Sequence, residues 1–136
     1  PKRRARLARR AVEYLVRACS KTQNTHLLDS AGQVLGRAGH MNAGKDIFSQ
    51  ALKLDPYALN NRIGLVVTLL LSGSIDETIP HLKWLVQLLP RDKNVLRLAV
   101  QAGKRGGDIQ LARDALQRLE DLDPVLAVPL RQYFVR

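Results

Sequence analysis

Side chains able to do acid–base, nucleophilic or metal chemistry are few in this chain and are spaced badly for it. His26, His40 and His81 fall in different segments, without the short paired spacing that brings two imidazoles onto one ion. Cys19 has no second thiol for a disulfide or a zinc site, and its place near the end of an apolar helical stripe reads as a small buried core residue. The carboxylates of Glu120-Asp121-Leu122-Asp123 close a helical pattern just before Pro124, where a solvated turn explains them better than an acid and base pair. Gly103-Lys104-Arg105-Gly106-Gly107 has the residue types of a phosphate loop, but no strand precedes it and it falls at an expected turn between helices. None of GxGxxG, GxxxxGK[ST] or GxSxG occurs. The expectation is a chain without catalytic residues, metal or cofactor, and not an enzyme.

Charge is the second source of chemistry. The formal net charge is +10, and residues 1–21 hold eight Lys or Arg against one Glu. Residues 2–10 are suited to an anionic membrane surface or to nucleic acid, or they form a solvated helix face beside a domain boundary. Six aromatic residues in 136 argue against base stacking. The longest apolar run, residues 64–71, is far too short to span a bilayer and contains Thr68. A lone cysteine fits a reducing, cytoplasmic setting. The chain has no initiator Met and no signal-peptide core, which reads as an internal or processed piece.

The elements behind these residues recur. Pro56, Pro90 and Pro124 lie 34 residues apart, and Gly39, Gly73 and Gly107 keep the same interval. Three units follow without gaps: 25–58, 59–92 and 93–126. Each opens with apolar residues at helical spacing, Leu28, Ala31, Val34 and Leu35 in the first, Leu65, Val66 and Leu69 in the second, Leu96, Ala99 and Val100 in the third. A glycine turn then stops the helix, since glycine tolerates the left-handed C-cap conformation. The second helices start at capping types, Ser74 and Asp108, and end where proline disfavours helical geometry in the residue before it. Pro80, inside the second helix of its unit, predicts a late start or a kink. Leu7, Ala11, Tyr14, Leu15, Ala18 and Cys19 stripe a helix in 1–24, placed as the second helix of a preceding repeat would be. Leu130, Tyr133 and Phe134, with Pro129 in an initial turn, predict a capping helix or the start of a further repeat in 127–136.

These residues resemble the tetratricopeptide repeat (TPR) over 25–126. The first unit supplies the pattern as Leu28, Ala31-Gly32, Leu35, Gly44, Phe48, Ala51 and Pro56; Arg62, Val66, Thr78 and Gly103 depart from it in the later units. The resemblance implies an all-α fold, a right-handed α-solenoid of antiparallel helix pairs with three full repeats and a flanking helix at each end. It also implies a groove lined by the first helices. Its positions here are His26, Asp29, Gln33, Gly36 and Arg37, then Asn60, Ile63, Val67, Leu70 and Leu71, then Asn94, Arg97, Gln101, Lys104 and Arg105. The Lys and Asn pattern of repeats that clamp a C-terminal carboxylate is missing, because Asp29, Gln33, Gly64, Asn94 and Leu98 occupy its positions.

Spacing supports a groove apart from the resemblance. Ile63, Val67, Leu70 and Leu71 form a second apolar stripe on a helix whose packing stripe is Leu65 and Leu69. Either flanking helices bury that stripe, or it anchors a peptide or helix. The candidate groove residues are Arg37, Asn60, Ile63, Val67, Leu70, Leu71, Asn94, Arg97, Gln101, Lys104 and Arg105, and the expected partner is a protein or peptide with apolar and acidic residues. Self-association is a further expectation, because an array of repeats can pair apolar ends. The functional expectation is a non-catalytic interaction scaffold. The alternatives are a regulatory or targeting segment of a larger enzyme or membrane-associated protein, and nucleic-acid binding through the basic helix.

Overall fold

The computed structural model describes residues 2–134, the Tyr133 side chain excepted, and is helical throughout, with no strand among the described residues. Pro1, Val135 and Arg136 of the segments 1–24 and 127–136 lie outside the described residues, as does the Tyr133 side chain of the terminal stripe. Among the described residues eight helices follow in order: α1 (Lys2–Ser20), α2 (Thr25–Arg37), α3 (Met41–Leu54), α4 (Leu59–Leu71), α5 (Ile75–Leu88), α6 (Lys93–Arg105), α7 (Ile109–Leu122) and α8 (Pro124–Arg131), the last running into a 3-10 turn at Gln132–Phe134. The chain divides into two compact units, one ending at Ser72 and the other starting at Gly73.

The recurrence seen in the sequence has a local cause. Gly39, Gly73 and Gly107 take φ of 87°, 85° and 80°, the left-handed region in which a Cβ is strained. Each therefore ends a 13-residue helix at the same phase, and a 14-residue helix follows. Capping is uneven. Asn24 accepts from the backbone N–H of both His26 and Leu27, Asp92 accepts from Val95, and Asp108 accepts from Leu111. Ser74 sits at the N-cap of α5 but makes no side-chain capping bond, contrary to the sequence expectation.

Two further expectations need correction. α5 begins at Ile75 and runs through Pro80, so the proline does not delay its start. α8 starts at Pro124 itself rather than near Leu130. Proline fits the first helical position because that N–H has no intrahelical partner, and the Asp123 carboxylate accepts from Leu126 N. Pro129 thus lies inside a helix instead of opening one.

In the first unit α3 packs on α2 and α4, and α1 on α2 and α3. Cys19, Leu28, Ala31, Leu35, Ile47 and Ala51 form its main core, joined by Val12, Leu15, Val16 and Ala43. A second cluster joins Phe48, Leu65 and Leu69 with Leu52. The Cys19 thiol is 1% exposed, and burial raises its pKa above the ordinary thiol value. Arg62 occupies a position where the repeat pattern wants a large apolar residue. It is half-buried and donates from Nη2 to Pro56 O at 2.9 Å, while desolvation lowers its pKa. In the second unit α6 packs on α5, α7 and α8. There Leu82, Leu85, Val95, Leu96, Leu119 and Leu130 are among the buried side chains.

Candidate functional site

The first unit holds an open cavity of about 520 Å³ between α2 and α4. Its floor is the Phe48 ring from α3, and two glycines let that ring in. A Cβ on Gly32 would stand 2.6 Å from the ring, and one on Gly64 would stand 2.5 Å away, both far inside van der Waals contact. Helix interiors disfavour glycine by about 1 kcal/mol relative to alanine, so close approach to a large buried ring is the structural reason for both.

The walls differ in chemistry. On α2, Asp29, Gln33 and Arg37 recur at four-residue steps and form a hydrogen-bonded ladder. Gln33 Nε2 donates to both Asp29 oxygens at 3.2 Å, and Arg37 Nη2 donates to Gln33 Oε1 at 3.4 Å. On α4, Ile63, Val67 and Leu71 recur at the same steps and face the cavity. Val67 is 37% exposed and Leu71 is 67% exposed. Gly36, on the α2 wall, has nothing within 4 Å of where its Cβ would lie. Unlike Gly32 and Gly64, it keeps open a space that a side chain would fill.

Asp29 and Asn60 also line a neighbouring concavity of about 370 Å³, with Thr25, His26, Asp55 and Tyr57. Asn61 on its wall is 3% exposed, donates from Nδ2 to Thr25 O at 3.1 Å, and has no hydrogen-bond partner for Oδ1 among the described residues. The two hollows share residues, so the polar wall runs from a carboxylate end at Asp29 and Asp55 to a guanidinium end at Arg37.

Of the residues singled out from sequence, the structure gathers Arg37, Asn60, Ile63, Val67 and Leu71 around this cavity. Leu70 is 8% exposed and does not line it. Asn94, Arg97, Gln101, Lys104 and Arg105 belong to α6 of the second unit. There Arg97 Nη2 donates to Asn94 Oδ1 at 3.1 Å, and Lys104 Nζ stands 5.4 Å from the centre of the Phe134 ring. Arg105 shares a concavity of about 430 Å³ with Ser74, Asp76 and Glu77. The sequence reading left Phe48, Gly32 and Gly64 out of the site. Their signal is a large aromatic opposite two glycines in neighbouring helices.

The chemistry this arrangement offers is contact, with an apolar wall, an amide and charge ladder, and a ring for a floor. Among the described residues, no group of three or more His, Cys, Asp or Glu gathers as a metal site would need.

No family model matches the chain, and no curated protein matches its sequence. Among solved structures it is similar to MamA, residues 41 to the end, from Desulfovibrio magneticus RS-1, with a TM-score of 0.72 at 20% identity over 94% of this chain and 84% of that one. The MamA RS-1 ArsTM double mutant gives the same values. MamA is a TPR-like helical solenoid, and the likeness is one of fold: this chain has an all-α, TPR-like architecture.

Proposed function

We propose that the chain is a non-catalytic protein-interaction scaffold and that the α2–α4 cavity of its first unit receives a polypeptide segment. The carrying observation is that cavity, in which exposed Val67 and Leu71 face a polar ladder across the open space at Gly36. Apolar side chains of the partner would lie on α4, and its backbone or polar groups on Asp29, Gln33 and Asn60, whose side chains between them both donate and accept. A partner carboxylate is drawn to the Arg37 end. In the second unit the exposed cations Arg97, Lys104 and Arg105, with Asn94 and Gln101, give α6 a basic face that favours acidic segments. The TPR-like fold supports this reading, because such folds serve generally as interaction scaffolds.

Peptides selected from a random display library on the wild-type chain provide the test. Their affinity is expected to fall roughly tenfold or more when Val67 and Leu71 are both changed to alanine, in keeping with loss of a buried apolar anchor. Gly36→Leu, which fills the open space, is expected to block them as well. Selected peptides that bind both variants as they bind wild type would place the contact surface elsewhere.

A second reading, a targeting segment of a larger protein, is favoured by one observation, the basic outer face of α1.

A further inference from the structure

The first half of α1 is built of strong helix formers, but its charge pattern opposes the helix. Residues 2–11 are all exposed, and α1 meets the rest of its unit through Val12, Leu15, Val16 and Cys19. Gln50 Nε2 pins its end by donating to Cys19 O at 2.6 Å. Lys2, Arg3, Arg4, Arg6, Arg9 and Arg10 all precede the one carboxylate of the helix, Glu13. Among the described residues, none of the six lies within ion-pair distance of a carboxylate. Lys2 and Arg3 each repel Arg6, and Arg6 repels Arg9 and Arg10, at the three- and four-residue spacings where helix side chains are neighbours. Cations in the first turn also oppose the positive end of the backbone dipole. A fixed anionic surface removes both penalties.

The outer face decides which surface. At 3.6 residues per turn, the buried side of α1 lies opposite a side that carries Arg3, Arg6, Arg10 and Arg17, with Leu7 and Tyr14 set among them. Leu7 is 56% exposed and Tyr14 is 78% exposed, two helical turns or about 10.5 Å apart along the axis. Phosphates on a nucleic-acid duplex would use the cations and leave these two side chains in water. The headgroup layer of an anionic bilayer uses both kinds, with guanidinium groups at the phosphates and apolar groups at the acyl boundary. No described helix is long and apolar enough to cross a membrane, so contact of this kind is peripheral.

We propose that the outer face of α1 docks the chain on an anionic lipid surface, with the helix lying in the plane of the headgroups. The test is sedimentation of the full chain with vesicles of phosphatidylcholine alone and with vesicles that also contain phosphatidylserine. Partitioning to the anionic vesicles is expected to be at least about tenfold stronger and to weaken as salt rises. The triple change Arg3→Gln, Arg6→Gln, Arg10→Gln is expected to abolish the preference. The double change Leu7→Gln, Tyr14→Gln is expected to weaken binding several-fold at unchanged charge. All five positions are exposed, so neither variant is expected to lower the thermal midpoint. Equal binding to both vesicle types, or a triple variant that partitions as wild type does, would overturn the proposal. So would indifference to the Leu7 and Tyr14 changes, or tighter binding to duplex DNA or RNA than to anionic vesicles, which would assign the face to nucleic acid.

Discussion

Glycine carries two separate meanings inside helices at the residue scale, and each predicts a different response to the same substitution. Gly64→Ala drives a methyl into the Phe48 ring, which is 1% exposed and must shift to take it. It is expected to cost about 1–3 kcal/mol, as overpacking does, read as a lower midpoint in thermal or urea unfolding. Gly36→Ala meets open space one residue before the end of α2, so it is expected to raise the midpoint, by less than the about 1 kcal/mol that a helix interior would give. Asn24→Ala removes one acceptor from two backbone donors and is expected to cost about 1 kcal/mol. The acid limb follows from Asp108 and Asp123. Each carboxylate lies below its ordinary value of 3.8, mainly through the backbone N–H of Leu111 and Leu126 respectively, and then through Lys83 and Lys93. A depressed carboxylate favours the fold above its unfolded value, and that contribution is lost as pH falls through the folded one. Changing both to Asn is therefore expected to lower the midpoint at pH 7 and to flatten its decline below about pH 4. Equal slopes for variant and wild type would remove these two groups from the acid limb.

At the scale of elements, helix starts and stops were legible wherever one residue type dictates the backbone. Positive φ at three glycines and the missing N–H of proline act locally, which is why the bounds of α2 to α7 follow the 34-residue phase. The errors came where one residue permits two outcomes. Proline both ends a helix and opens one, and at Pro124 the second use applies because Asp123 caps the helix that follows. Gly103, a departure from the repeat pattern, proves to be a close approach. A Cβ there would stand 2.8 Å from Asp108 O and 2.9 Å from Ala112 N. The cavity was half legible. Periodicity exposed the stripe of Ile63, Val67 and Leu71, but it does not say which neighbour leaves a stripe uncovered, and Leu70 in the same run is buried. The floor made by Phe48 depends on contacts between helices that no single-helix period records.

For the molecule as a whole, the charge is unevenly placed, and the polar and apolar surfaces follow it. Residues 1–21 carry a local +7 of the chain's +10, mostly on a helix whose outer cations Arg3, Arg6 and Arg10 have no carboxylate within ion-pair distance among the described residues. The α2–α4 cavity instead has one carboxylate end and one guanidinium end around an apolar middle. Two surfaces of such different character suit two different kinds of contact, one with an anionic surface and one with a polypeptide. The most direct measurement of the second is methyl and amide NMR of the chain during titration with a peptide selected on it. Saturating one-to-one shifts confined to Ile63, Val67 and Leu71 and to the Asp29, Gln33 and Arg37 ladder are predicted. A peptide that binds and saturates while those signals stay still, with shifts gathered on another face, would contradict the assignment.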